Sequence, residues 1–240
     1  MARTFLQLVQ QAANEIGIPE PTFLFGSVND QEKQLIALAN REGKEFSAVA
    51  NKNGGWQALR KDYTFNTVPG QADYALPDDF EYFVQKTFWD NAYRWALIGP
   101  ITAQEKQILR YGVIASGPRN KFYIRENKMW LDPVPQSVNL IAYDYYSNYW
   151  CQSQAGIPQK TWQADTDTYL LDEDCFIQGL KWRFLRAKGF DYGEERESYE
   201  LDVQRTIGRD GGSRDLPLGY ADYGTQLLGY DNVPDTGYGQ

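Results

Sequence analysis

Hydrophobic residues recur with helical spacing at both ends of the chain and with a period of two in its middle. The first helical stripe covers residues 5–16, with Thr4 and Gln7 in capping-box spacing and Gly17 as the stop. A second begins at Asn29, which has Glu32 three residues on, and runs to the Asn-Gly-Gly break at 53–55. The pattern therefore predicts two helices before the first strand.

Period-two alternation begins after Trp56. Aromatic residues alternate through residues 63–67, and Pro69-Gly70 has the composition of a type II turn leading into a strand at 74–76, which predicts a first hairpin. Further strands are predicted at 83–89 and 138–146, with a hairpin between 122 and 131 around a turn at 126–128. A short helix is predicted between them at 102–111, with Thr102 and Glu105 in capping-box spacing.

Helical spacing returns after Trp162. One helix is predicted to begin in the acidic run at Asp172 and to close at Gly189, and the next to extend from Asp191 to Gly208. Four amphipathic helices flanking a β unit most simply pack together. The predicted fold class is α+β: a four-helix bundle core, an inserted mostly antiparallel β unit and an extended C-terminal arm. The predicted domains are residues 1–62 with 164–210 (helical), 63–163 (β-rich) and 211–240 (arm).

Charge and histidine content narrow the function classes. The formal net charge is −8, which argues against sequence-independent binding to nucleic acid. The chain has no histidine, so it lacks the commonest general base and most transition-metal ligand sets. No secretory leader or spanning apolar run is recognisable, and no Gly-rich phosphate loop occurs. We expect no cofactor, no metal, no catalytic residue and no membrane partner.

Two charged segments could carry chemistry and also have plain structural interpretations. The run DTDTYLLDED resembles a calcium loop but lacks its central glycine and terminal glutamate, and turns plus a helix N-terminus account for its carboxylates. In KWRFLRAKG the cations are expected to stabilise a helix C-terminus, and Trp182, Arg183 and Arg186 form a possible inter-subunit interface. Cys151 and Cys175 are expected to be buried small hydrophobes.

Two alternatives to a structural role stay open at this stage. A cell-wall or glycan-degrading tail enzyme would use a carboxylate pair such as Asp165 and Glu173. A sugar-binding tail module would use the high aromatic content, 15% of residues, as stacking platforms. The same aromatics suit large protein interfaces equally well.

Several stretches, taken in order, resemble the adaptor or head-to-tail connector proteins of short-tailed bacteriophages. They are ALANREGKEF, WQALRKDYTFNTVPGQADYALPDDF, WALIGPITAQEKQ, GPRNKFYIRENKMWLDPVP, SNYWCQSQ, WQADTDTYLLDED and GLKWRFLRAKGFDYGEE. The resemblance covers about residues 5 to 205, and residues 211–240 lie beyond the segments that carry it.

The resemblance implies a structural virion protein, assembled in the host cytoplasm and placed at the portal vertex and tail. Its implied partners are the portal protein, a tail nozzle or tail tube protein, and further copies of itself in a ring of twelve. Genomic DNA would pass through the ring without specific binding. The helical domain would form the ring and contact the portal, and the β-rich domain would face the tail or the outside.

The last thirty residues are rich in Gly, Asp and Pro, yet they contain four tyrosines and a Leu-Leu pair. Fully extended they could reach about 100 Å. By resemblance, we expect them to form an arm that docks on the portal. Its predicted anchors are Tyr220, Tyr223, Leu227, Leu228, Tyr230 and Tyr238.

Overall fold

The computed structural model describes residues 2–49, 55–111 and 120–210. Over these residues the chain forms five α-helices: α1 (Phe5–Ile16), α2 (Asp30–Val49), α3 (Ala103–Tyr111), α4 (Glu173–Lys188) and α5 (Gly193–Asp210). The strands are β1 (Arg60–Asn66), β2 (Asp73–Ala75), β3 (Phe80–Phe83), β4 (Trp89–Asp90), β5 (Trp95–Ala96), β6 (Lys121–Arg125), β7 (Lys128–Asp132), β8 (Leu140–Ser147), β9 (Cys151–Gln152), β10 (Pro158–Gln159) and β11 (Thr168–Tyr169). The protein is a mixed helix and sheet fold, and the named strands pair antiparallel, as the predicted α+β class requires.

Local capping signals determine where the helices begin and end. Thr4 accepts from the backbone N–H of Gln7 and the Gln7 side chain accepts from the N–H of Thr4, so the predicted capping box of α1 is confirmed. The same reciprocal bonds join Thr102 and Glu105 at the start of α3. Gly17 ends α1 in the left-handed conformation, which a residue without Cβ adopts at little cost.

The termini of the last two helices were predicted with different success. Asp172 caps α4 by accepting from the N–H of Cys175, and Gly189 ends it with a φ of 78°, as predicted. Helix α5 was predicted to stop at Gly208 but continues to Asp210. Glycine weakens a helix by only about 1 kcal/mol, so a single exposed glycine need not terminate one.

The largest sheet has the order β1-β8-β4-β5, and β3 also pairs with β8. Strand β1 runs along β8 over its whole length, from Arg60 opposite Tyr146 to Asn66 opposite Leu140. The predicted strand at 83–89 is wrong: this stretch contains the end of β3 and the start of β4, and a turn separates them.

The predicted first hairpin is also wrong, although its turn is present. Gly70 has a φ of 82° and the N–H of Gln71 donates to the carbonyl of Val68, as a type II turn requires. Beyond this turn, however, β2 pairs with β7 and not with β1. Strand β1 pairs instead with the longer β8, over seven residue pairs.

The predicted hairpin of residues 122–131 is confirmed as β6 and β7. Glu126 and Asn127 form its turn, and both have positive φ, as expected of the primed turns that join two strands tightly. Strand β2 adds to this pair and makes a three-stranded sheet.

Two clusters of buried side chains organise the fold. One combines apolar residues of α1, α2, α4 and α5 with Trp150, Cys151, Trp162 and Tyr169 from the segment that contains β9–β11. Helix α4 lies in its middle and packs against α1, α2 and α5. The other cluster lies in the β-rich part and includes Phe122 from β6 and Tyr143 from β8. The hydrophobic pattern of the sequence does not predict the short sheet β10-β9-β11. This sheet brings aromatic residues to the helices.

The domain division after residues 62, 163 and 210 stays a prediction, as does the four-helix bundle. The C-terminal arm, with its six named anchors, lies outside the described residues.

Candidate functional site

A buried ion pair joins three helices inside the helical core. Arg183 on α4 donates through Nε to Oε2 of Glu42 on α2, and its Nη2 donates to Glu45 at 2.8 Å. Tyr199 on α5 donates to the other Glu42 oxygen at 2.6 Å. Glu42 is fully buried and the Arg183 side chain is 6% exposed. Since each polar atom of Glu42 has a partner, the cluster avoids the large cost of an unpaired buried charge.

The pKa values within this cluster reflect burial opposed by pairing. Burial raises the pKa of the Glu42 carboxyl, and the charge of Arg183 opposes that rise only in part. Burial alone would lower the pKa of Arg183, but Glu42 outweighs it and the net shift is upward. Burial also raises the pKa of Tyr199, so its hydroxyl remains a hydrogen-bond donor to Glu42.

Two glycines let the elements approach closely around this cluster. A Cβ at Gly179 on α4 would overlap the Glu42 carboxylate, and a Cβ at Gly43 on α2 would overlap the ring of Trp150. Both glycines lie within a helix and have no left-handed backbone conformation, so their role is to provide space. Neither the two glycines nor the ion pair was predicted from the sequence.

The three residues of the predicted inter-subunit interface lie in different environments. Trp182 and Arg183 are buried within the subunit, and Arg186 is exposed. The cations of this segment were predicted to stabilise the C-terminus of the helix. The prediction is wrong for Arg183, which pairs with Glu42 on α2, and for Lys181, which pairs with Glu195 on α5 at 3.0 Å. Arg186 and Lys188 do lie in the last turn. The inter-subunit role of the three residues stays a prediction.

The carboxylates of the acidic run serve the fold. Asp165 accepts from the N–H groups of Leu24 and Phe25, and Asp167 accepts from the N–H groups that precede it at residues 163 and 164. With Asp172 at the cap of α4, these contacts confirm the structural interpretation of the run.

The carboxylate pair of the enzyme alternative is engaged in the same way. Asp165 holds the loop before α2, as described above, and Glu173 accepts from the backbone N–H of Arg3 at 2.9 Å and from its Nε at 2.5 Å. Hydrogen bonds that position structural elements thus occupy the oxygens a glycosidase would need. Within residues 2–49, 55–111 and 120–210, no group of three or more His, Cys, Asp and Glu could hold a metal ion.

Asp79 forms a second polar centre, at the edge of the β-rich part. It accepts from Lys61 Nζ at 2.6 Å, from Tyr145 Oη at 2.7 Å and from Ser147 Oγ at 2.7 Å. Burial alone would raise the pKa of Asp79, but the hydrogen bonds from these three side chains lower it overall. Asp79 thereby links the segment before β3 to both β1 and β8. The sequence gives no local signal for this cluster.

Cys151 and Cys175 are both buried and form no disulfide, as expected of small apolar residues. Burial raises the pKa of each thiol to about 12. Thiolates are therefore scarce at neutral pH, and neither cysteine has the electropositive surroundings of a reactive one.

The exposed aromatic pair Tyr93 and Trp95 is the surface feature that best fits the sugar-binding alternative. The rings lie 6.5 Å apart at the β4–β5 turn, beside a shallow cleft that includes Asp90 and Asn120. Both oxygens of Asp90 are already used: one accepts from backbone N–H groups of the turn and the other from amide side chains, including that of Asn120. The turn is thus held rigidly, and its carboxylate has little capacity left for a sugar hydroxyl.

Comparison with known families gives the identity. The family model described as "SU10 adaptor protein" matches residues 3–237, nearly the whole chain. The chain belongs to the SU10 adaptor protein family. No individual curated protein matches it. Membership confirms the resemblance drawn from the sequence and makes the protein a structural adaptor of a phage virion, associated with portal and tail components.

The family match also corrects one expectation. Residues 211–240 were placed beyond the family resemblance, yet the match to the adaptor family extends through residue 237. Residues 211–237 are therefore part of the sequence that the family model covers. Among the described helices of the adaptor, none is long and apolar enough to cross a membrane.

Proposed function

We propose that this adaptor is a head-to-tail connector that binds the portal, forms a ring of twelve copies, joins the capsid to the tail and extends the DNA conduit. The observation that carries the proposal is the match to the adaptor family over residues 3–237. The tail partner below the ring is a nozzle or tube protein.

The acidic character of the chain supports the conduit role. Because each subunit has a net charge of −8, the ring would repel the phosphate backbone of passing DNA and so discourage it from adhering. Genomic DNA is accordingly a passenger and not a bound ligand.

Each part of the chain has a proposed role in the assembly. The helical domain, residues 1–62 and 164–210, forms the ring and contacts the portal. Helices α2, α4 and α5 meet at the Glu42–Arg183 cluster, which keeps them in a defined register. The β-rich domain, residues 63–163, faces the tail or the outside. On the proposed inter-subunit face, exposed Arg186 would make direct contact and buried Trp182 and Arg183 would support it from within.

The arm, residues 211–240, is proposed to dock on the portal. Tyrosine and leucine anchors spaced along a chain of this length suit binding across a large partner surface. The anchors are Tyr220, Tyr223, Leu227, Leu228, Tyr230 and Tyr238.

The arm's role is tested by sedimenting the full chain with purified portal rings. We expect wild type to co-sediment with the rings, and deletion of residues 215–240 to abolish binding while the circular dichroism spectrum stays that of the folded protein. Tyr220→Ala with Tyr223→Ala should weaken binding. The matched control, Tyr93→Ala with Trp95→Ala, removes exposed aromatics from the β-rich domain and should leave it unchanged. Wild-type binding by the truncated chain would refute the docking role.

Among the residues that the structure describes, the carboxylate pair of the enzyme alternative is engaged in hydrogen bonds that hold the fold. Infection by virions that carry Asp165→Asn with Glu173→Gln tests it directly. We expect assembly to be reduced only to the extent that the fold is weakened, with no step of cell-wall cleavage lost.

A further inference from the structure

A cleft of about 660 Å³ lies between α2 and the adjoining edge of the β-rich part, and we name it the α2–β8 cleft. Aromatic side chains form much of its wall: Trp56, Tyr82, Tyr146 and Trp150. Its volume falls within the range of about 300–1,000 Å³ that is common for ligand sites. It can accept two or three large side chains.

The cleft is basic although the chain is acidic. Three cations line it, Arg41, Lys44 and Lys160, against one carboxylate, Glu81. Within the described residues, Arg41 pairs with Glu45, whereas neither Lys44 nor Lys160 has a carboxylate within ion-pair distance. A ligand that fits this surface combines aromatic groups with negative charge.

The last described helix brings the chain to the wall of this cleft. Helix α5 ends at Asp210, whose Oδ2 accepts from the backbone N–H of Gln57 at 2.8 Å. Gln57 follows Trp56 directly, and both Trp56 and Leu59 line the cleft. Residues 211–240 therefore begin beside it, and a few extended residues at about 3.4 Å each are enough to reach its interior.

The composition of residues 211–240 matches the cleft. The segment has four aspartates, one arginine, no lysine and four tyrosines. Asp222 and Asp231 lie next to or near tyrosines in the stretch GYADYGTQLLGYD, residues 219–231. Because the segment is joined covalently to the wall, even a weak intrinsic affinity would be raised by a high effective concentration.

We infer that the α2–β8 cleft binds residues 219–231 of the same subunit, with tyrosines against its aromatic wall and aspartates near Lys44 and Lys160. This inference concerns the free subunit and does not depend on portal binding. If the portal also binds this segment, cleft and portal compete for it.

Hydrogen exchange of the full chain, followed by mass spectrometry without any portal present, tests the inference. We expect amides of residues 219–231 to exchange at least about tenfold more slowly than in the isolated peptide. Lys44→Glu with Lys160→Glu should abolish this protection. Lys33→Glu with Lys86→Glu makes the same change of charge at exposed sites outside the cleft and should preserve it. Exchange of α4 peptides in each variant reports whether the fold is intact.

Three outcomes of this experiment would overturn the inference. Exchange of residues 219–231 at the free-peptide rate in wild type would exclude docking. Protection that survives the Lys44 and Lys160 changes would place the segment elsewhere. Protection that appears only as protein concentration rises would assign the cleft to a second copy.

A photo-crosslink formed in a chain that keeps Lys44 and Lys160 tests the inference independently. A benzophenone amino acid in place of Ser47, which lines the cleft, should form crosslinks within one chain to residues 219–231. Crosslinks only between chains, or to no residue of this stretch, would contradict the inference.

Discussion

Glu42 on α2 and Arg183 on α4 form an ion pair in the helical core, 141 residues apart in the sequence. Tyr199 on α5 binds the same carboxylate, so a single buried charge connects three of the helices. A buried ion pair contributes little net stability, but removing only one of its partners is costly, because the other charge is then left buried without compensation. Its value to an adaptor is to define how the helices fit together.

Removing the cation should destabilise the protein strongly. Arg183→Met leaves Glu42 buried and unpaired, and we expect the free energy of unfolding to fall by about 3–5 kcal/mol. Arg186→Met, on the exposed side of the same helix, should change it by less than about 0.5 kcal/mol. Urea denaturation followed by circular dichroism measures both. Because Arg183→Met with Glu42→Gln removes both charges, the double variant should recover part of the stability lost in Arg183→Met. If Arg183→Met were as stable as Arg186→Met, the ion pair would have no structural role.

The close approach of α2 to Trp150 predicts opposite effects for two glycine substitutions. Gly43→Ala forces a Cβ into the Trp150 ring and should cost about 1–3 kcal/mol. Gly208→Ala, exposed in α5 with open space around it, should stabilise by up to about 1 kcal/mol. Melting temperatures of the two variants should therefore move in opposite directions. A Gly43→Ala protein as stable as wild type would mean that Trp150 does not pack against this glycine.

Asp79 should make the β-rich part sensitive to acid. Its pKa is lowered below the ordinary value of 3.8, so its stabilising effect is present above that pH and is lost as pH falls through the folded-state pKa. We expect Asp79→Asn to destabilise the protein at pH 7 by about 1–3 kcal/mol. The difference in unfolding free energy between wild type and Asp79→Asn should become smaller as the pH falls from about 4 to about 2.

The matched control for this pH dependence is Asp78→Asn, because Asp78 is the exposed neighbour of Asp79. Unfolding free energies of the three proteins across this pH range supply the comparison. A gap that stays constant down to pH 2 would exclude the charge of Asp79 as its source.

Both cysteines should resist thiol reagents. Burial keeps Cys151 and Cys175 protonated, so a disulfide reagent at pH 8 should modify neither in the native protein within minutes, and both once guanidinium unfolds it. Gln154→Cys, at an exposed position near Cys151, should react at once and serves as the positive control. Rapid reaction of the native wild type would indicate that the core opens.

The sequence predicts those parts of the fold that depend on neighbouring residues. The boundaries of α1, α3 and α4 follow from local capping signals, such as Thr4 with Gln7 at the start of α1, and Asp172 and Gly189 at the two ends of α4. The turn at Glu126 and Asn127 is equally local. Each of these predictions needed no knowledge of the rest of the chain.

What the sequence did not predict depends on residues far apart. Strand β1 pairs with β8 and not with the nearer β2, and β9–β11 are too short to show a period of two. The ion pair did leave one trace, since Glu42 lies on the apolar stripe of α2, where a carboxylate requires a buried partner. Identifying Arg183 as that partner required the packing of α2 against α4.

Electron microscopy of purified portal rings mixed with the full chain tests the central claim most directly. The account predicts one additional ring of twelve adaptor subunits on each portal, coaxial with it, with a continuous channel through both. Portal rings that remain bare at saturating adaptor concentration, or that carry scattered copies without ring closure, would contradict it.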